Sequence, residues 1–178
     1  MAFLEGSSVE LVPLDPSREP HVRAYARSRT DPEMRTTGAY GGTVTREAAS
    51  EWIERKQSTD APNALCAIRV AGDTVGWAGC RVDDLRARTA TLGYYVLPEE
   101  QGNGYATEAA SLLVAYAFQE LNAHKVAAEV QADNPASERV LEKIGFECEG
   151  TRRDHHYKDG DYRDISLWGV TEAEFDPA

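Results

Sequence analysis

The sequence predicts a mixed α/β fold, on three observations. Short apolar runs of strand length alternate with segments whose apolar residues recur at helical spacing, in the order β-α-α-β-β-β-α-β-α-β. One glycine-rich turn, Gln101 to Thr107, joins a strand directly to the longest helical pattern. The chain has 178 residues, 42% hydrophobic and 28% charged, enough for one sizeable core and too few for two, so residues 1–178 are expected to form a single domain.

Val9 to Leu14 reads as the first strand, closed by Pro13, Asp15 and Pro16. Pro20 to Arg29 and Thr45 to Gln57 read as helices; the second takes Thr45 as its N-cap and shows Ala48, Ala49, Trp52 and Ile53 as an apolar stripe. Between them Asp31 to Thr43, rich in Gly and Thr, reads as a loop. Leu65 to Val70 and Thr74 to Val82 form a hairpin through Ala71-Gly72-Asp73. Ala90 to Leu97 is a strand stopped by Pro98. Thr107 to Leu121 is the clearest helix, with Ala110, Leu113, Val114, Ala117 and Phe118 on one face. Lys125 to Gln131 is a strand, and Pro135 to Ile144 a helix with proline in its first turn and Gly145 beyond its end. Tyr162 to Val170 is the last strand, reached through a solvated loop that holds His155 and His156.

Charge narrows the function classes. Thirty acidic residues face 19 basic ones, and only four of those are lysines, for a net charge of −11. Such a surface repels phosphates and anionic membranes, so neither nucleic acid nor membrane is expected as a partner. The acids are spread along the chain, which favours adaptation to a salty cytosol over an acidic patch for cationic substrates. No apolar run reaches the ~20 residues of a spanning helix. Met1 to Glu10 lacks the basic start and apolar centre of a secretory signal, which points to the cytoplasm. Three cysteines, Cys66, Cys80 and Cys148, match no metal spacing and read as reduced thiols, with Cys66 and Cys80 in strand-like apolar surroundings. Adjacent His155 and His156 point in different directions in an extended chain and have no third ligand spaced nearby, so no metal is expected. Trp52, Trp77 and Trp168 read as core.

Gln101-Gly102-Asn103-Gly104-Tyr105-Ala106-Thr107 carries the first chemical signal. Its small residues let backbone approach a ligand, and the following helix offers free N–H groups and a positive dipole end, which together make a pyrophosphate cradle. It is no P-loop, lacking Gly-Lys-Ser/Thr, and no dinucleotide fingerprint, since Thr107 stands where the third glycine belongs. Alone it is equally a plain strand-to-helix turn. The second signal is Asn134-Pro135-Ala136-Ser137 opening a helix that closes at Gly145-Phe146, directly after a strand.

Together these segments resemble the GNAT superfamily of acetyltransferases. Gln101 to Ala106 is similar to its Gln/Arg-x-x-Gly-x-Gly/Ala acyl-CoA motif, and Asn134 to Phe146 to its Asn-x-x-Ser helix. Gly93-Tyr94-Tyr95-Val96-Leu97-Pro98 and Asp154 to Asp164 resemble the branch that acetylates ribosomal-protein N-termini. The resemblance covers nearly the whole chain and implies a central, mostly antiparallel twisted sheet flanked by helices. It implies acetyl-CoA as cosubstrate, with the backbone of Tyr95 and Val96 pairing with the pantetheine arm, Gln101 to Thr107 holding the pyrophosphate, and Asn134 bonding the pantetheine chain.

Amine acetylation asks little more of the protein. The thioester is already electrophilic, the amine must lose a proton, and the leaving thiolate benefits from a donor. Some relatives carry a tyrosine acid seven residues after the asparagine, where this chain has Leu141, so Ser137 is the substitute donor. Glu129, five residues before Asn134, has the spacing of the relatives' candidate base. Glu129 also reads as a solvated strand carboxylate, and Ser137 as a hydroxyl that caps its helix or touches CoA. The expected acceptor is a primary amine, foremost a protein N-terminus, with a polyamine, amino sugar or drug as the alternative and a non-catalytic acyl-CoA-binding domain as a third. Acceptor choice is expected in Asp31 to Thr43 and Arg152 to Asp164. Monomer and homodimer are not separated by any motif.

Overall fold

A computed structural model describes residues 1–32, 42–58 and 61–176. The strands are β1 (Leu4–Glu5), β2 (Glu10–Pro13), β3 (Asn63–Val70), β4 (Asp73–Asp84), β5 (Thr89–Val96), β6 (Lys125–Gln131), β7 (Glu147–Lys158) and β8 (Asp161–Thr171). The described helices are α1 (Glu19–Thr30), α2 (Arg46–Gln57), α3 (Tyr105–Gln119) and α4 (Pro135–Lys143), with a 3₁₀ turn at Pro98–Glu100. All eight strands join one sheet in the order β1-β2-β3-β4-β5-β6-β8-β7. Every pairing is antiparallel except β5 with β6. The mostly antiparallel mixed sheet is therefore as expected.

Alternation in the strands divides the core in two. Ile68, Val82, Leu92, Val126 and Trp168 face Leu113, Val114 and Ala117 of α3, together with Leu141 of α4. On the opposite face Val12, Leu14 and Ala67 pack under Val22 and Tyr25 of α1 and Ala49 and Ile53 of α2. Trp52 and Trp77 join that second layer, Trp52 stacked on Tyr25 with ring centroids 4.0 Å apart. Burial pushes the Cys66 and Cys80 thiols up to about 12, which makes them inert apolar fillers, whereas Cys148 is exposed. Thr45 caps α2 as expected, its side chain accepting from the Ala48 N–H at 3.2 Å. The Ala71-Gly72 turn has φ of 49° and 95°, the left-handed pair that a two-residue hairpin needs.

Among the described residues three elements go beyond the sequence expectation. β1 is two residues long, too short for any periodicity. The 3₁₀ turn follows from Pro98 at its start. The third is β7, which replaces the solvated loop expected around His155 and His156 ahead of Tyr162. β7 is exposed at almost every position, so it shows no alternation; main-chain pairing to β8 holds it, through a turn at Asp159 and Gly160 with φ of 50° and 84°. His155 and His156 thus lie on a strand, not in a loop. The register shifts between Arg152 and His156, Asp154 sits at φ 50°, and the two imidazoles stack at 5.4 Å rather than diverging. Among the described residues no three His, Cys, Asp or Glu side chains gather as metal ligands would. No helix among them is long and apolar enough to cross a membrane. Of the Asp31–Thr43 loop, residues 33–41 lie outside the described residues.

Candidate functional site

The site begins where the sheet comes apart. β5 and β6 pair in parallel only through Thr89↔Lys125, Ala90↔Val126 and Thr91↔Ala127. Past that point Leu92 to Val96 keep their antiparallel partners on β4, and Ala128 to Gln131 keep theirs on β8. The facing edges form a wedge-shaped slot with main-chain donors and acceptors along both walls. Tyr95 and Val96 lie on the β5 wall, and Glu129 on the β6 strand.

Above the β5 wall, Gln101 Nε2 donates to the Val96 carbonyl at 3.1 Å and Asn103 Nδ2 to the Glu100 carbonyl at 3.0 Å, folding the loop back on the strand end. Gly102 and Gly104 have φ of 83° and 86°, and a Cβ at either would point into open space. The helix starts two residues earlier than the sequence predicts: Gly104 is the N-cap of α3, so Tyr105, Ala106 and Thr107 are its first turn. Glycine offers no side chain to cap them, which leaves three convergent N–H groups at the positive end of a 15-residue helix. The carboxylate that follows, Glu108, is drawn aside: it accepts from Ser7 Oγ at 3.0 Å, the Ser8 N–H at 2.9 Å and Ser8 Oγ at 2.7 Å. Burial alone would raise the Glu108 carboxyl, but these bonds from Ser8 and Ser7 outweigh it and hold the group below its usual range. Gly6 permits the contact, because a Cβ there would sit 2.2 Å from the Glu108 oxygen. A diphosphate fits this cradle of uncapped amides, and an extended amide chain fits the slot edge; among the candidates the residues that would hold them are Tyr95, Val96, Gln101 to Thr107 and Asn134.

On the far side of the slot α4 is capped by Asn134, whose Oδ1 accepts from the Ser137 N–H at 3.2 Å. The cap is thus Asn134 and not Ser137, which corrects the capping reading of the serine. The Ser137 carbonyl accepts from the hydroxyl of Tyr94, which reaches over from β5 at 3.2 Å. Burial pushes the Tyr94 phenol up to about 12.

Glu129 lies on the face of β6 opposite α3 and α4, 47% exposed, and its Oε1 accepts from Arg152 Nη1 of β7 at 2.6 Å. It shares neither layer nor contact with Ser137. A second charged group is a clamp at the end of α1: Arg27 bonds both oxygens of Glu99, at 2.5 and 2.9 Å, and Asp31 at 3.1 Å. The Arg27 guanidinium holds the Glu99 carboxyl down at about 2. Tyr94, Glu108 and the Arg27 clamp were not among the sequence candidates. Their partners lie 43, 100 and 72 residues away, and no local pattern encodes such a pairing.

A profile described as an acetyltransferase (GNAT) domain matches residues 9–147. A Bacillus subtilis protein described as the uncharacterized N-acetyltransferase YoaA is 34% identical over 100 residues, 56% of each chain. The same organism's putative ribosomal N-acetyltransferase YdaF is 31% identical over 122 residues, 68% of this chain and 67% of its own. The matched stretch thus spans between half and two thirds of these relatives' lengths. Among solved structures, spermidine N-acetyltransferase from Vibrio cholerae, in complex with CoA and spermine, superposes with a TM-score of 0.84 over 95% of this chain and 98% of its own. At 19% identity that likeness speaks for the fold.

Proposed function

The chain belongs to the acetyltransferase (GNAT) family, and from that premise we propose that it transfers the acetyl group of acetyl-CoA to a peptide N-terminal α-amine. The observation that carries the reading is the slot between β5 and β6, headed by the uncapped first turn of α3 behind Gly102 and Gly104. The amides of Tyr105, Ala106 and Thr107 bind the pyrophosphate, the Tyr95 and Val96 backbone and the Asn134 side chain bind pantetheine, and Gln101 keeps the loop folded. Bound acetyl-CoA supplies a thioester carbonyl that a neutral amine attacks directly. Glu129, on the face open to the acceptor, takes the amine proton, with Arg152 holding the carboxylate in place. The Ser137 hydroxyl, on the other side of the slot, serves the departing sulfur as donor.

Charge pairing favours a peptide over a polyamine. Around the slot Glu129 is paired with Arg152, Glu99 and Asp31 with Arg27, and Asp133 faces Arg163 at 3.7 Å. A face neutralised in this way does not concentrate a multiply charged amine, whereas a single α-amine needs one carboxylate. The net charge of −11 favours the polyamine reading. Incubating the protein with acetyl-CoA, peptides of varied N-terminus, spermidine and an aminoglycoside decides it, read by free thiol and mass spectrometry. Acetylation of a peptide α-amine is expected. Faster turnover of spermidine or the aminoglycoside overturns the acceptor assignment, and CoA binding with no turnover on any amine overturns catalysis.

A further inference from the structure

We propose that Tyr94 is a positioning residue of the acetyl-CoA site: its hydroxyl spans the slot from β5 and fixes the first turn of α4, and with it Asn134 and Ser137. The inference rests on the reading of the slot as the acyl-CoA site. β5 and β6 share no register pair beyond Thr91↔Ala127, so strand pairing does not set the spacing of the two walls at Tyr94, three residues further on. Leu141, Ile144 and Phe146 bury the far end of α4, but apolar contacts resist sliding only weakly because they have no direction. A hydrogen bond has direction, and Tyr94 supplies it at the near end, 3.2 Å from the Ser137 carbonyl. The Ser137 N–H is meanwhile held by Asn134 Oδ1, also at 3.2 Å. Ser137 is therefore gripped at both ends of its backbone, and the two side chains assigned to the cosubstrate, Asn134 and Ser137, are both part of that grip.

The phenol is suited to a static role. A carbonyl can only accept, so the Tyr94 proton points at Ser137. Burial keeps the hydroxyl protonated throughout the working pH range. Tyr94 is thus a permanent donor and no proton carrier.

The test is a double-mutant cycle. Tyr94→Phe keeps the ring and its packing and removes only the oxygen, so the fold is retained. Calorimetry with CoA should show binding about three- to ten-fold weaker, the worth of one hydrogen bond. The KM for acetyl-CoA should rise by the same factor, with a fall in kcat beside it because the same turn carries the Ser137 donor, whereas a purely structural defect would lower the active fraction and kcat and spare KM. Asn134→Ala should also weaken CoA binding, and Tyr94→Phe added to it should cost nothing more, because the tyrosine acts through the turn that Asn134 caps. Unchanged CoA affinity in Tyr94→Phe overturns the proposal, as do fully multiplicative effects in the double mutant. Wild-type protein that binds no CoA overturns the acyl-CoA reading itself, and this proposal with it.

Discussion

At the scale of single residues, the sharpest commitments are Glu129 and Gly104. Glu129 sits on the open face of β6 with one oxygen on Arg152, leaving the other free to take a proton. Glu129→Gln should lower kcat by about 10²–10⁴-fold, the usual worth of a positioned base, with CoA affinity unchanged in calorimetry. Turnover close to wild type at every pH would instead give the proton to water. Gly104 is the N-cap of α3, at φ 86°. The glycine loop taken by itself predicts that Gly104→Val blocks the ligand and leaves the fold intact, provided the position tolerates a side chain conformationally. The positive φ changes that expectation, because a β-branched residue there is strained by about 1–3 kcal/mol. The variant should therefore melt several degrees lower as well as lose CoA binding. Gly104→Asn, whose side chain tolerates the left-handed region, separates the two effects: stability near wild type with binding still weakened. CoA affinity unchanged in Gly104→Asn would show that this position does not face the pyrophosphate.

At the scale of elements, the coupling between α1 and the 3₁₀ turn stands out. Arg27 reaches from the last turns of α1 to grip Glu99 with both guanidinium branches, just ahead of the Gln101–Gly104 loop. The Glu99 carboxyl is held at about 2 against an ordinary 4.5, first by the Arg27 hydrogen bond. A carboxyl lowered on folding stabilises the native state at pH above its unfolded value, and that contribution is lost as pH falls through the folded value. Wild type should thus melt above Glu99→Gln at pH 6–7, and the gap should close between about pH 4.5 and pH 2. Melting curves of both proteins across that range check it; a gap independent of pH would mean that Glu99 acts through packing and not through charge. The β7–β8 hairpin shows what element-level reasoning overlooked. Its strand lacks alternation because both faces are wet, yet Asp159-Gly160 is a legible two-residue turn signal between Lys158 and Asp161, and it marks β7 as well as β8.

At the scale of the whole molecule, electrostatics sets the response to salt. Thirty acidic against 19 basic residues leave a net charge of −11, and four lysines offer little flexible compensation. Charges interact over about 30 Å at 0.01 M salt and about 3 Å at 1 M. Salt also weakens the exposed ion pairs such as Arg46–Glu19, but each of those is worth at most ~1 kcal/mol, so relief of the net repulsion dominates. The melting temperature should climb between dilute buffer and molar KCl, with activity retained. If the charge instead served to capture a cationic acceptor, KM for the amine would rise steeply with salt while stability stayed flat.

By itself the sequence determined the fold class, the order and type of ten elements, the glycine loop ahead of α3 and the Asn134–Ser137 start of α4. These are legible because each is local: periodicities of 2 and 3.6, proline and glycine punctuation, and a cap all act within a few residues. Only the tertiary structure decided where the sheet parts, that Glu129 faces away from Ser137 and pairs with Arg152, and that Tyr94 spans the slot. Those features depend on which strands become neighbours and on which face each side chain emerges. Both are settled by burying two apolar layers at once, not by any one segment of the chain.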